Sequence, residues 1–176
     1  MTGLFVAISG LPGSGKTTLA RRLAPALNLP LIDKDDILDR LFDLKGTGDA
    51  RWRRKLSRES DEIFQQQATA SRGAVLVSFW RQPGMPDDSG TPTAWLAGQI
   101  VNVHCVCSPE IAAQRFCSRQ RHPGHLDSAN SFDHTLASLR KLASLHPPEL
   151  GRRIEIDTTR EPRLSGIVRD ILKNKI

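Results

Sequence analysis

The chain has 176 residues, 39% hydrophobic and 25% charged, with 25 Lys and Arg against 19 Asp and Glu, for a formal net charge of +6. This length suits one domain with a real core, and no stretch approaches the ~20 apolar residues that span a bilayer. Three cysteines give no disulfide framework and fit a reducing cytosol, the N-terminus enters a strand without a basic leader, against a secretory signal, and the basic balance favours anionic partners.

Short apolar runs alternate with helical segments, which predicts an α/β fold with a parallel sheet. A first strand is expected at Leu4–Ser9 and a first helix at Lys16–Leu27. Between them, Gly10-Leu-Pro-Gly-Ser-Gly-Lys16-Thr17 fits G-x-x-x-x-G-K-[ST] in its strand–loop–helix setting. The physics is that of an anion cradle. Glycines at 10, 13 and 15 let successive N–H groups point inward, and the next helix adds its unpaired N–H groups and positive dipole end. Lys16 would place a mobile charge on the β- and γ-phosphates, and Thr17 a hydroxyl near Mg²⁺. The nucleotide candidates are Gly10, Leu11, Pro12, Gly13, Ser14, Gly15, Lys16, Thr17 and Thr18.

Pro30–Asp33 reads as a short second strand, and Asp35 to about Leu44 as a helix with Ile37, Leu38, Leu41 and Phe42 on one side. In an open parallel sheet, ligands gather at the carboxyl ends of the strands, so Asp33-Lys-Asp35-Asp36 would deliver carboxylates beside the γ-phosphate. If the chain stays locally extended, Asp33 and Asp35 point the same way. One can then serve a metal-bound water while the other accepts a hydroxyl proton. The alternative is capping of the next helix, the role that suits Asp36.

Ala50–Ser71 reads as a long helix and Ala74–Val77 as a buried third strand. Within the helix, Arg51-Trp-Arg-Arg-Lys55 mixes cations with an aromatic, as single-strand binders do, although a solvated face with one buried Trp is the favoured reading. Trp80 and Arg81 follow the third strand. Arg81–Thr93 is a Pro/Gly/Asp-rich loop, with a helical turn expected at Ala94–Gln99. Ile100–Val106 is the fourth strand. His104 and Cys105 of this strand, with Cys107 and Cys117 beyond, lack metal-site spacing, and the cysteines read as core thiols.

Pro109 to about Arg121 reads as a helix capped by Ser108, and His122-Pro-Gly124 ends it. Arg115 and Arg119, i and i+4, would share a helix face, and planar guanidiniums suit a transferring phosphoryl group. Phe132–Leu145, Arg153–Asp157 and Leu164–Lys173 complete the pattern as helix, fifth strand and helix.

The phosphate loop with Thr18, followed by Asp33-x-Asp35 after a short strand, resembles the small P-loop kinases. These include shikimate kinase, gluconate kinase, chloramphenicol phosphotransferase and the kinase half of polynucleotide kinase, together with AAA-type ATP-binding kinase-like proteins. The resemblance implies a three-layer P-loop NTPase fold in a single domain spanning 1–176. Its mostly parallel five-stranded sheet would run in the order 2-3-1-4-5, with helices on both faces and a small lid at about 115–130. It also implies roles. Thr17 and Asp33 serve Mg²⁺, and Asp35 touches the substrate hydroxyl as the base. Arg115, Arg119 and Arg121 reach the ATP phosphates from the lid. Trp80, Arg81, His122 and His125 stand near substrate, and Asp157–Pro162 forms the adenine-side loop.

Four departures stand against this resemblance, and the last three leave the substrate open. The third strand ends Val77-Ser-Phe-Trp80 without a Walker-B carboxylate, against a motor or AAA-type machine. No Gly-Gly-Gly follows that strand, and no His-Pro follows the D-x-D. Leu38 stands where polynucleotide kinase has an Arg. The expected activity is Mg²⁺-dependent transfer of the ATP γ-phosphoryl group to a hydroxyl of a small molecule in the cytoplasm. A kinase for nucleosides or nucleic-acid 5′ ends is an alternative that the charge permits but does not require. A nucleotide-dependent switch without transfer is the alternative of another class.

Overall fold

The computed structural model describes residues 3–96, 100–127 and 131–173. Five strands, β1 (Phe5–Gly10), β2 (Leu31–Asp33), β3 (Ala74–Val77), β4 (Ile100–Val106) and β5 (Arg152–Asp157), form one all-parallel sheet in the order β2-β3-β1-β4-β5. The helices are α1 (Lys16–Ala26), α2 (Lys34–Lys45), α3 (Ala50–Ala70), α4 (Pro109–Ser118), α5 (Phe132–Ala143) and α6 (Leu164–Leu172). A 3₁₀ turn spans Pro123–His125. Of the helical turn expected at Ala94–Gln99, residues 97–99 lie outside the described residues, as do 128–130 of the expected lid.

The central strands are buried on both faces, so they read as unbroken apolar runs rather than alternating ones. Val6 and Ile8 of β1 pack with Leu19 and Leu23 of α1 and Ile167 and Ile171 of α6. Phe5 and Ala7, pointing the other way, pack with Leu76, Trp80 and Phe64 of α3. Side chains of this size stabilise the fold by about 1.5–3 kcal/mol each on full burial, so these two clusters hold helices on both faces. β5, at the edge, alternates partly buried with exposed residues.

Register aligns the carboxyl ends. Asp33 stands opposite Val77, Val77 opposite Ile8, and Ser9 opposite His104. The phosphate loop, the Asp33–Asp36 run, the residues after β3 and the β5–α6 loop therefore emerge on one edge of the sheet.

Candidate active site

The phosphate loop runs from the end of β1 into α1. Gly13 (φ 82°) and Gly15 (φ 87°, the residue before α1) lie in the left-handed region, which side chains with a Cβ disfavour. At Gly13 a Cβ would also sit 2.1 Å from the Ala112 carbonyl oxygen of α4, so only glycine lets the loop lie against that helix. Lys16 is folded back on the loop, its Nζ donating to the carbonyls of Gly10 (3.0 Å) and Leu11 (2.9 Å). Burial pushes its pKa down, while Asp33 and Asp35 are among the anions opposing that.

Asp33 ends β2 and caps α2. Its Oδ1 accepts from the Asp35 N–H (3.0 Å) and its Oδ2 from the Thr17 hydroxyl (3.0 Å). The chain turns helical at Lys34, so the extended Asp33-x-Asp35 geometry expected from sequence does not occur. Asp33, not Asp36, is the cap, because it alone precedes the helix with extended backbone. Asp36 instead pairs with Arg21 at 3.4 Å. Burial, and next the charge of Asp35, raise the Asp33 pKa to about 6. The Thr17–Asp33 pair presents oxygen donors only, and its carboxylate is relieved by one hydroxyl and one N–H. That donor chemistry fits Mg²⁺, which keeps waters and takes one or two protein oxygens beside phosphate.

α4 ends at Ser118, three residues earlier than expected. Arg119 is already extended (φ −77°, ψ 144°), so Arg115 and Arg119 do not share a helix face. The 119–121 stretch leaves the helix to meet carboxylates. Arg119 lies over the Phe116 ring and bonds Asp127 at 3.2 Å. Arg121 bonds both Asp127 (3.0 Å) and Asp35 (2.6 Å). Desolvation is the largest influence and raises the Asp35 pKa, but Arg121, His125, Lys16 and Arg119 together outweigh it and hold the carboxyl below its ordinary range. Arg115 donates to the carbonyls of Thr158 (2.9 Å) and Thr159 (3.0 Å), joining the β5–α6 loop to α4.

One cleft of about 860 Å³ is lined by Gly13, Gly15, Lys16, Thr17 and Thr18, by Asp33, Asp35 and Asp127, and by Arg115, Arg119 and Arg121. The remaining sequence candidates lie elsewhere or act on the protein itself. Trp80 is core: it is 2% exposed, its indole N–H donates to the Ile8 carbonyl (2.9 Å), and its ring packs edge-on to Phe64. Arg81 is tied within its own loop to Ser89 and Asp87. His122 lines the cleft, yet its ring stacks on Phe42 and its Nε2 faces Asp43 at 3.3 Å. His125 is buried, with Nε2 2.6 Å from Asp39. Gly124 lies so close to Phe42 that a Cβ would meet the ring at 2.5 Å. The Arg-His-Pro-Gly-His run thus docks the 119–127 segment on α2. Of the thiols, only Cys105 is buried; Cys117 is exposed, contrary to the core reading. Among the described residues no metal-binding cluster of three or more His, Cys, Asp or Glu occurs.

Sequence reasoning missed Arg53 and a polar relay behind the cleft. Arg53 belongs to the cation-rich Arg51–Lys55 run but lies on the stripe of α3 that carries buried Leu56 and Ser60. It lines the cleft, and its Nε is buried with no partner among the described residues. A cation at helical spacing from apolar residues was the signal that would have found it. The relay joins Lys34 to Asp61 (2.7 Å), Thr91 to Asp61 (2.7 Å) and Ser78 to Thr91 (2.5 Å). It pins the segment after β3 against α3, and nothing local in the sequence announces it.

The comparisons with known proteins agree with this architecture. A family model described as AAA domain (AAA_33) matches residues 5–144. Cytidylate kinase of Pyrobaculum calidifontis is 30% identical over 161 residues, covering 88% of this chain and 77% of that protein. Its counterpart in Pyrobaculum islandicum is 28% identical over 150 residues, 81% and 71% of the two chains. Shikimate kinase of Corynebacterium glutamicum is 54% identical over 36 residues, so the chain matches only 21% of that relative's length. Among solved structures, a protein of Chloroflexus aurantiacus assigned to the kinases superposes with a TM-score of 0.77 at 24% identity, over 99% of this chain and 96% of that one. Shikimate kinase from Bacteroides thetaiotaomicron superposes with a TM-score of 0.58 at 20% identity, over 97% of each chain. Those two likenesses speak to the fold alone. Among the described residues no helix is long and apolar enough to cross a membrane. The chain belongs to the AAA domain family and is a P-loop kinase-like protein, related over most of its length to the cytidylate kinases and over 36 residues to shikimate kinase.

Proposed function

We propose that this protein is an ATP- and Mg²⁺-dependent phosphotransferase that moves the γ-phosphoryl group to a hydroxyl of a small molecule bearing an anionic group. The observation that carries the reading is the presence, in one cleft, of the phosphate loop, the Thr17–Asp33 pair and the Asp35 carboxylate. Residues 1–176 are read as one kinase domain in a cytoplasmic setting, with the 115–130 segment as its lid.

When bound, Mg²⁺-ATP supplies the phosphoryl group and a partly neutralised charge for its transfer. The chain's own residues do the rest. Lys16 leaves the carbonyls of Gly10 and Leu11 for phosphate oxygens, which are stronger acceptors. Thr17 and Asp33 hold the metal, directly or through water. Arg121 and Arg119 turn from Asp35 and Asp127 to the phosphates, which frees the Asp35 carboxylate to orient the acceptor hydroxyl and take its proton. His122 and His125 keep the lid seated on α2 during this exchange. Lid closure over the phosphates excludes water and so suppresses hydrolysis. Arg53, a cation facing the cleft without a carboxylate partner among the described residues, supports an acceptor with a carboxylate or phosphate.

A nucleotide or nucleic-acid acceptor is the second reading. It is favoured by the cytidylate kinase relatives and by the exposed Arg51, Arg54, Lys55 and Arg58 face of α3. The experiment is a transfer assay from γ-labelled ATP to hydroxy acids, sugar acids, neutral sugars, aminoglycosides, nucleosides, nucleotides and oligonucleotide 5′ ends. Transfer to anionic hydroxyl compounds is the expected result. Transfer only to nucleosides, nucleotides or oligonucleotides would move the assignment to the second reading, and transfer to nothing beyond water would leave a switch.

A further inference from the structure

Behind the phosphate loop, on the other side of Phe79 from the cleft, lies a second cavity of about 170 Å³. Phe79 is the only described residue lining both. The walls of the second cavity are largely apolar and include Leu11, Trp80, Leu142, Leu145 and Pro148. Ser9 and His104, which line it, belong to a chain of side chains with a fixed direction that begins behind the cavity at Asn102. Asn102 donates its Nδ2 toward the Pro148 carbonyl (3.5 Å), so its Oδ1 faces Ser9, whose hydroxyl donates to it at 2.6 Å. A serine has one proton to give. The 2.8 Å contact between Ser9 Oγ and His104 Nδ1 therefore needs the proton on the imidazole.

His104 is thereby set as the Nδ1–H tautomer, with Nε2 as a bare acceptor. That nitrogen has no hydrogen-bond partner among the described residues, while the ring lines the cavity. Burial and the neighbouring Arg153 push the His104 pKa down and favour the neutral ring, outweighing the opposite pull of Glu155. A cavity of about 150 Å³ with apolar walls is large enough for a benzene ring.

We propose that this cavity is a second ligand site, taking a small uncharged ring compound with one O–H or N–H donor, which is read by the lone pair of His104 Nε2. Neither Asp35 nor the arginines of the cleft line it, so the site stands independently of the proposed phosphotransfer.

Phenol is the probe, with anisole as the ring of similar shape that lacks a donor. Long-range ¹H–¹⁵N spectra of the full chain read the imidazole nitrogens directly. The expected results are a proton on Nδ1 of His104 and a saturable shift of its Nε2 on phenol addition. Anisole should bind about tenfold more weakly, the loss that one net hydrogen bond supplies. Phenol binding should fall by a similar factor in His104→Ala and be abolished in Ala143→Phe, which fills the cavity from an exposed helix position and keeps the test open if the first variant misfolds. Any of three results would overturn the proposal: a proton on Nε2, equal binding of phenol and anisole, or phenol binding that is absent or insensitive to Ala143→Phe.

Discussion

The Asp35 carboxylate lies 2.6 Å from the Arg121 guanidinium, and the same guanidinium bonds Asp127 at 3.0 Å. The carboxylate proposed as the base is thus held by a cation proposed for the phosphates. The pair keeps Asp35 ionised but makes it a weaker base, because an arginine-bound carboxylate gives up part of its proton affinity.

Arg121→Ala should therefore change both the rate and its pH dependence. Loss of a charge-stabilising donor should lower kcat roughly 10²- to 10³-fold. Without the guanidinium the Asp35 pKa rises, so the acidic limb of the kcat/KM profile of the residual activity should move to higher pH. Arg121→Lys should restore charge but not the fork that spans two carboxylates, and recover the rate only in part. A pH–rate profile of both variants checks this.

Magnesium dependence should carry the signature of Asp33. Its pKa is raised to about 6, chiefly by burial, and only the carboxylate form holds a cation. Mg²⁺ affinity in the presence of ATP should hold above pH 6 and fall by about tenfold for each pH unit below it. Asp33→Asn should flatten that fall and raise the Mg²⁺ requirement at pH 7.5. Titration of Mg²⁺ against activity at several pH values provides the comparison.

The His125–Asp39 contact predicts a loss of stability in acid. Burial, and next Arg121, hold the His125 pKa below its ordinary value, and its buried Nδ1 has no partner for a proton. A histidine with a depressed folded pKa binds protons more readily when unfolded. Its contribution is therefore full above the ordinary value of about 6.5 and is lost as pH falls from there to the folded pKa, with a slope of up to about 1.4 kcal/mol per pH unit. His104, also lowered, acts in the same direction. His125→Asn should be less stable than the parent at pH 7.5 but should lose less between pH 7 and 5. Urea unfolding at both pH values measures the difference.

Arg53 should set acceptor affinity rather than nucleotide affinity. Arg53→Ala should raise KM for an anionic acceptor roughly 10- to 100-fold, the range of a charge-assisted hydrogen bond, and leave KM for ATP unchanged. Stability should not fall, since no carboxylate partner among the described residues is left behind. An equal rise in both KM values would place Arg53 on the nucleotide instead.

Much of this site was legible locally. The phosphate loop carries its own signal because a helix N-terminus, positive φ and close backbone approach all demand particular residues in sequence. β3 and β4 were read to the residue, since strands buried on both faces have no competing period. Contacts made at a distance were not legible. Arg115 and Arg119 sit at helical spacing, yet α4 stops at Ser118 where Arg119 and Arg121 meet Asp127 and Asp35. His122 and His125 read as residues standing near substrate, but Phe42, Asp39 and Asp43, some eighty residues earlier, engage them. Trp80 followed a strand like a substrate contact, and a single carbonyl, that of Ile8, draws its indole into the core. Asp33 was weighed as either a cap or a metal residue; its two oxygens divide between the cap N–H and Thr17.

The central claim is that Asp35 serves the acceptor hydroxyl and not the nucleotide. It is tested most directly by single-turnover transfer from ATP already bound to Asp35→Asn, at ATP concentrations where calorimetry shows the loop filled. The account predicts ATP affinity within about twofold of the parent and a transfer rate lowered roughly 10²- to 10⁴-fold, the usual contribution of a positioned acid or base. Transfer at the parental rate from the filled variant would contradict it.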